Sequence, residues 1–513
     1  MKSKLNNRGY IIYKDKFSET ELKKIRKELN VQPYTPFKSK FAPPNNFPVY
    51  LEGPSKMYLP KYWALKRFGE AEKIDINPGV DIDVSFDGKM REIQQKAIDG
   101  FMNNYKSDNY TGGLICLGCG MGKTVVAIKI ISMIRKKVLI VVHKEFLLSQ
   151  WVERINQFLP NASIGRIQQK KFEVEGKDIC IAMLQTLSMR KFPEGAFDCF
   201  GLTIVDESHH ISSETFSQAL PKIATKCTLG LTATPTRADG LTKVFEWYLG
   251  KIAFKAKRED KQKTFVKILK YKSTDEHYTK LEEGFEGRII TSRMINNVAE
   301  YKPRLNLMIT EISKVMEEPG RCIIILSDRR EHLDKLDKKL NKKLGHKFCI
   351  GQYVGGMKQS VLDENAQKCD IILSTFNMAA EALDIPKLNT LFLSTPKSNI
   401  EQSCGRILRQ EHNVIPLIID ICDNFMPFDR QTKKRITFYK KNKYNFKEFE
   451  IQDSEENNKD KYSSILDKIK NAHIEDASLS SSSSIDDIIL DIPTNTTKPK
   501  KNDCEILSSS DDE

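Results

Sequence analysis

The chain has 513 residues, 40% of them hydrophobic and 29% charged, enough for about three ordinary structural units with substantial cores. Its formal charge of +14 is uneven: seven of the 82 basic and fifteen of the 68 acidic side chains lie beyond residue 450, which puts −8 there and +22 on the remainder, a balance that favours a polyanionic partner such as nucleic acid. The 11 cysteines are scattered through apolar runs such as DICIAML and RCIIIL, unlike a disulfide framework, and the chain shows neither a signal-peptide core nor an apolar run near the ~18 residues of a membrane helix, so a soluble, intracellular protein is expected.

Residues 1–85 hold proline-rich stretches such as FAPPNNFPVY and no motif tied to chemistry; they predict an accessory domain. From 86 to 250, short apolar runs alternate with helical patterns. The runs are GGLICL (112–117), VLIVV (138–142), ICIAML (179–184), LTIVD (202–206) and LGLTAT (229–234), with helices expected over Thr124–Arg135 and Lys144–Phe158. Such runs suit parallel strands buried on both faces, and the rhythm is that of a doubly wound α/β sheet. A polar, charged stretch, 251–304, predicts a connection. A second series then fills 305–450: CIIIL (322–326), ILST (372–375), TLFLS (390–394) and IPLIID (415–420). Residues 451–513 are acidic and serine-rich, with too few apolar side chains for a core, and predict a disordered tail.

The stretch ICLGCGMGKTVV (115–126) carries both a C-x-x-C, Cys116 and Cys119, and a glycine-rich turn ending in Gly-Lys-Thr. No second C-x-x-C completes a zinc site, and Cys116 falls inside the expected strand. The turn, Gly118-Cys119-Gly120-Met121-Gly122, lets backbone N–H groups converge on an anion at a helix N-terminus. Lys123 would then reach the outer phosphates of a nucleotide, and the Thr124 hydroxyl would ligate magnesium. Further on, LTIVD ends in Asp206-Glu207-Ser208-His209. A carboxylate at the tip of a parallel strand faces the same crevice as the turn, which suits Asp206 for holding magnesium through water and Glu207 for deprotonating an attacking water.

Over 86–448 the chain resembles the superfamily 2 helicases and translocases of the DExH-box branch. Arg91-Glu92-Ile93-Gln94 resembles the upstream element, LGCGMGKT motif I, VVHKEFLLSQW motif Ia, IAMLQTL motif Ib, DESH motif II and the Thr232-Ala233-Thr234 of LTATPTRADGL motif III. In the second half ILSDRREH resembles motif IV, STFNMAAEALDIP motif V with Ala382 where glycine is usual, and Gln402-Ser403-Cys404-Gly405-Arg406-Ile407-Leu408-Arg409 motif VI. Leu117 stands where the common phosphate-loop pattern has glycine, as in relatives of XPB. The resemblance implies two RecA-like lobes, ATP and magnesium as cofactors, adenine read by Gln94, and nucleotide contacts from Asp384 and Gln402. Arg406 and Arg409, three apart on an expected helix face, would reach the γ-phosphate from the second lobe.

Nucleic acid is the implied partner, DNA more than RNA. Its backbone would touch Lys144, Gln185, Thr186, Arg329 and Thr375, with Gly355 and Gly356 allowing close approach to a phosphate. The stretch RQTKKRITFYKKNKYNFK (430–447) interleaves basic and aromatic residues and offers another strand-contacting surface, against packing of its aromatics on their own lobe. FPVYLEGPSKMYLPKYWALKRFG resembles the region preceding the motor in helicases of large cytoplasmic DNA viruses, poxvirus transcript-release helicases among them. That resemblance implies action in viral transcription termination or release, transcription machinery as a partner, and a place in the host cytoplasm or the virion. A DExH RNA helicase, a repair or recombination helicase, and a non-hydrolysing nucleic-acid clamp or scaffold remain the alternatives. The tail islands SSSSSIDDIILDIP and CEILSSSDDE resemble docking peptides that add a strand to a partner.

Overall fold

The computed structural model describes residues 1–34, 46–107, 111–118, 120–206, 213–233, 240–256, 263–284, 287, 289–381, 383 and 385–452. Cys119, Glu207, Asp384, motif III beyond Ala233 and the tail from 453 onward therefore lie outside the described residues, while 451 and 452 belong to the last strand of the second lobe.

A mixed sheet opens the chain, antiparallel except that β7 pairs in parallel with β1; its strands and those of a short separate pair are β1 (Ser3–Asn6), β2 (Gly9–Tyr13), the pair β3 (Asn30–Val31) and β4 (Phe47–Pro48), then β5 (Leu51–Glu52), β6 (Lys56–Leu59) and β7 (Lys73–Asp75). Five of these form one sheet in the order β5-β6-β2-β1-β7. Helix α1 (Glu19–Glu28) starts on a capping box in which the Ser18 hydroxyl accepts from the Glu21 N–H and Glu21 bonds back to Ser18 N–H. Helix α2 (Lys61–Phe68) carries Trp63 and Ala64 into a core that also contains Leu139, Val205, Phe216 and Tyr248 of the following lobe. Tyr248 Oη donates to Val49 O at 2.7 Å, and Lys61 Nζ donates to the carbonyls of Thr225 and Lys226. The opening sheet and the first lobe thus share one core.

The first lobe is an eight-stranded sheet: β8 (Gly112–Leu117), β9 (Val138–Val142), β10 (Ile164–Gln168), β11 (Lys171–Phe172), β12 (Ile179–Met183), β13 (Leu202–Val205), β14 (Cys227–Thr232) and β15 (Ile252–Ala256). Their order is β11-β10-β12-β9-β13-β14-β8-β15, parallel throughout except for β10–β11. Its helices are α3 (Glu92–Ser107), α4 (Lys123–Ile134), α5 (Glu145–Phe158), α6 (Leu184–Met189), α7 (Ser213–Ala219) and α8 (Thr242–Leu249). All five residues of β9 are buried, as an unbroken β-branched run requires when helices cover both faces.

The second lobe is all parallel: β16 (Phe265–Lys272), β17 (Ile323–Ser327), β18 (Ile350–Tyr353), β19 (Ile371–Thr375), β20 (Thr390–Leu393), β21 (Leu417–Asp423) and β22 (Asn445–Gln452), in the order β18-β19-β17-β20-β21-β16-β22. Around it lie α9 (Glu276–Thr279), α10 (Thr291–Glu300), α11 (Lys302–Met316), α12 (Arg330–Leu344), α13 (Gln359–Lys368), α14 (Phe376–Glu381), α15 (Glu401–Cys404) and α16 (Phe428–Lys441). The two α/β lobes match the expected fold class, but 251–304 is not a plain connection. It supplies β15 to the first sheet and β16 to the second. In FVKILKYK the lysines alternate with Val266, Ile268 and Tyr271, which are buried, so a strand inside the sheet reads as polar sequence. In α16 and the segment after it, Phe438, Tyr439 and Tyr444 pack into the lobe's core, while Lys433, Lys434, Lys440, Lys441 and Lys443 are exposed. The aromatics of that stretch therefore face inward rather than toward a strand of nucleic acid.

Candidate active site

The glycine-rich turn follows β8 and leads into α4. Gly120 and Gly122 take φ of +75° and +84°, conformations that an L side chain rarely adopts. A Cβ on Gly122 would come within 2.2 Å of Gln94 Nε2. Gln94, 2% exposed, accepts from Arg91 N–H at 2.9 Å and donates to Met121 O at 3.0 Å. Its amide thus braces the turn from behind. Lys123 and Thr124 are the first residues of the twelve-residue α4, where helix-end N–H groups and the positive end of the helix dipole meet. Gly118 O accepts from Met121 N–H, and Met121 is buried in the core. Cys116 is buried in β8, and burial pushes its thiol up to about 11, far from a reactive thiolate.

Asp206 follows β13 directly and is 5% exposed, and its Oδ2 accepts from the indole Nε1–H of Trp151 at 2.8 Å. Trp151 is buried on α5, and its bond fixes how the carboxylate is aimed. Sequence reasoning placed Trp151 within motif Ia but gave it no role. A pair 55 positions apart leaves no local pattern to find.

The second lobe presents Arg406 and Arg409, which both donate to one carbonyl, Leu383 O, at 2.7 and 2.6 Å. They are not on a helix, contrary to expectation. α15 ends at Cys404 with Gly405 as its C-cap, and the arginines sit in the turns beyond. Ile407 and Leu408 are both buried in the core of the second lobe, which anchors these turns. The turns nevertheless bring the two guanidinium groups together. Gln402 is half-buried on α15 and does not line the cleft described next.

A cleft of about 890 Å³ separates the lobes, and its walls include Gly120, Gly122, Lys123, Thr124 and Asp206 on one side and Arg406 and Arg409 on the other. Arg91, Arg154, Glu153 and Asp363 add further charges, so cations outnumber carboxylates five to three among the lining residues. Such a cleft suits a polyphosphate with a divalent ion. The left-handed glycines shape a turn whose backbone N–H groups can converge on an anion, and a hydroxyl and a carboxylate supply hard oxygen donors.

The expected nucleic-acid residues fall at the C-terminal edges of the two sheets, the same edges that carry the turn and Asp206. Lys144 follows β9 and is the N-cap of α5; Gln185 and Thr186 lie on α6 after β12; Thr375 ends β19. Gln185 Nε2 donates to His143 O at 2.8 Å, Thr186 Oγ1 accepts from Gln169 N–H at 3.0 Å, and Thr375 Oγ1 accepts from Met378 N–H at 3.3 Å. Gly355 and Gly356 are exposed after β18, Gly356 with φ +86° and nothing within 4 Å of an added Cβ. Arg329 differs from expectation. Its guanidinium donates to Ser292 O at 2.6 Å, to Asp328 O at 3.0 Å and to Asn296 Oδ1, which ties α10 to the end of β17 instead of pointing at a ligand. The loop after β20 is held from below by Arg304, which donates to Ser394 O, and by Arg435, which donates to Lys397 O. Both arginines are buried and paired with carboxylates of β21, Asp423 and Asp420 respectively.

Two protein families match the chain: the one described as type III restriction enzyme, res subunit, over residues 87–237, and the helicase conserved C-terminal domain over 304–411. A protein of Acanthamoeba polyphaga mimivirus that carries the provisional name ATP-dependent RNA helicase L396 is 33% identical over 462 residues, 88% of each chain. A protein of African swine fever virus (strain Badajoz 1971 Vero-adapted), provisionally named ATP-dependent RNA helicase QP509L, is 26% identical over 68% of this chain and 72% of its own. The DNA 3'-5' translocase XPB2 of Sulfurisphaera tokodaii is 33% identical over 36% of this chain and 39% of its own. Among solved structures, Saccharomyces cerevisiae Dbp5 bound to RNA and ADP BeF3 shares the fold, with a TM-score of 0.51 at 13% identity over 75% of this chain and 93% of its own.

Proposed function

The chain belongs to the superfamily 2 helicases, on the XPB-like branch, and is an ATP-hydrolysing helicase; from that premise we propose that it is a DNA-dependent motor acting in viral transcription termination or transcript release. The observation that supports the catalytic part is the single cleft lined by Lys123, Thr124 and Asp206 from one lobe and Arg406 and Arg409 from the other. In this reading, the N–H groups of residues 118–122 and the Lys123 ammonium hold the β- and γ-phosphates of ATP. Thr124 and Asp206 would hold magnesium, which when bound supplies neutralising charge between phosphate oxygens. Trp151 keeps Asp206 aimed at that position. Glu207 takes the proton of the attacking water, and Gln402 and Asp384 complete the nucleotide contacts from the second lobe.

Arg406 and Arg409 exchange the Leu383 carbonyl for the γ-phosphate as the lobes close. Two cations then meet the charge that develops on the leaving phosphoryl group, a contribution of roughly 10³–10⁵ in rate for such arginines. Nucleic acid runs along the C-terminal edges of both sheets past Lys144, Gln185, Thr186, Gly355, Gly356 and Thr375. Backbone contacts of this kind give sequence-independent, salt-sensitive binding. Closing and opening the cleft shifts the second lobe's grip along the strand. The net charge of +22 on residues 1–450 supports a polyanionic track, and the XPB2 relative's name supports DNA.

A second reading, an RNA helicase, is favoured by the names of the mimivirus and African swine fever virus relatives. ATP turnover of the full chain with single-stranded DNA, duplex DNA or RNA separates the two, with Lys123→Ala as the blank. The DNA reading expects strong stimulation by DNA and little by RNA. The reverse pattern replaces it with the RNA reading.

A further inference from the structure

Among the described residues one free cysteine, Cys349, is exposed, and its sulfur lies 3.0 Å from that of buried Cys369. Neither belongs to the catalytic motifs. Cys349 immediately precedes β18, and Cys369 is the C-cap of α13. The contact is built into the backbone rather than left to two mobile side chains. Asp370 N–H and Ile371 N–H both donate to Cys349 O, at 2.9 and 3.1 Å, and Cys349 N–H donates to the Asp370 carboxylate at 3.0 Å. The parallel register of β18 and β19, Ile350 opposite Ile371, continues that clamp. A second feature makes room for it: a Cβ on Gly351 would come within 2.6 Å of Cys369 Sγ, so glycine at this strand position leaves the space that the buried thiol occupies.

The segment between the two thiols is functionally placed. The nineteen residues between Cys349 and Cys369 contain β18, the exposed Gly355–Gly356 turn and α13. Tyr353 at the end of β18 and Gln359, Asp363, Ala366 and Gln367 of α13 line the nucleotide cleft.

We propose that Cys349 and Cys369 are an oxidation site, at which glutathione disulfide or a comparable small disulfide closes a Cys349–Cys369 bond that staples α13 to β18 and restrains the second-lobe wall of the cleft. The chemistry balances as two exchanges. The exposed Cys349 thiolate attacks one sulfur of the small disulfide, forming a mixed disulfide and releasing one glutathione thiolate, which takes up a proton. The Cys369 sulfur, losing its proton, then attacks the Cys349 sulfur, forming the internal bond and releasing the second glutathione. Net, the protein gives up two thiol hydrogens and two electrons, and one glutathione disulfide becomes two glutathiones. Burial pushes the Cys369 thiol up, which makes Cys349 the sulfur that reacts first and Cys369 the one that resolves. Reduction by excess thiol reverses both steps. This inference does not depend on whether the track is DNA or RNA.

The full chain is equilibrated with glutathione redox buffers, alkylated under acid quench, digested and read by mass spectrometry. Melting temperature and basal ATP turnover are followed in the same samples. The expected result is a 349–369 linked peptide in the oxidised sample, a melting temperature raised by several degrees, and a fall in turnover that excess dithiothreitol restores. Cys349→Ser, at an exposed position, should fold normally, lack the linked peptide and keep its turnover in the oxidising buffer. Cys369→Ala should trap glutathione on Cys349 as a stable mixed disulfide. Absence of the linked peptide in the oxidised parent overturns the site. A linked peptide that leaves both melting temperature and turnover unchanged overturns its restraint of the cleft.

Discussion

At the scale of single residues, the cleft depends on side chains that act on backbone or on each other rather than on substrate. Gly122 is the sharpest case, because its φ of +84° and the Gln94 amide 2.2 Å from an added Cβ both forbid a methyl group. Gly122→Ala should cost about 1–2 kcal/mol in left-handed strain alone and displace Gln94 from Met121 O. Isothermal titration with ATP should then show binding lost while the circular dichroism spectrum keeps its α/β form; unchanged affinity would contradict the geometry. Trp151→Phe keeps an aromatic ring at the site, though a smaller one, and removes the indole N–H bond to Asp206 Oδ2, a hydrogen bond to a charged group worth about 1.5–3 kcal/mol. Turnover titrated with magnesium should show a weaker magnesium requirement curve, shifted to higher concentration, with ATP binding largely kept. A shift equal to that of a distant core substitution would reduce Trp151 to packing. That Lys123, Thr124, Asp206, Arg406 and Arg409 would meet at one cleft was legible in the sequence, because a strand–turn–helix spacing or one short motif marks each of them. Trp151 and the Leu383 carbonyl were not legible, since their partners are brought to them only by the fold.

At the scale of elements, unbroken apolar runs made the central strands readable, and lysines interleaved among buried residues on both faces hid β16. VLIVV and CIIIL announce β9 and β17, whereas FVKILKYK conceals β16 behind lysines that pair with acidic neighbours, Lys267 with Glu311 and Lys270 with Glu448. The arginines of motif VI were placed on a helix because three-residue spacing fits one. The structure carries the same spacing in turns after Gly405, with Ile407 and Leu408 anchored in the core and both guanidinium groups on Leu383 O. The loop after β20, which leads into α15 and those turns, is clamped by Arg435, which donates to Lys397 O and to the Asp420 carboxylate. Arg435→Met strands the Asp420 carboxylate, which is fully buried, and should destabilise the protein by about 3–5 kcal/mol. Adding Asp420→Asn should recover part of that loss, since the neutral amide no longer needs a cation. Urea midpoints of the parent, single and double variants measure both effects, and a double variant weaker than the single one would exclude the ion pair as the cause.

At the scale of the whole molecule, the junction between the opening sheet and the first lobe carries a pH signature. Lys61 is buried there against the carbonyls of Thr225 and Lys226, and burial lowers its pKa from 10.5 to about 7. Between those values the unfolded chain binds this proton and the folded chain does not. The contribution of Lys61 to stability therefore rises with pH from about 7 to 10.5 and is least favourable below that window. Lys61→Met should flatten the rise, which denaturant melts at the two ends of the window would detect; parallel profiles for parent and variant would place the pH dependence elsewhere. No helix among the described residues is long and apolar enough to cross a membrane.

The shared core has a mechanical meaning as well. Because Trp63 and Ala64 sit in one packed interior with Leu139, Val205 and Tyr248, the opening sheet and α2 cannot swing independently of the first lobe. If the motor is divided into a stator and a rotor, they are bolted to the stator. Anything that grips the opening sheet is carried in a fixed pose relative to the first lobe, and under the proposed lobe closure the second lobe would move against that anchored load.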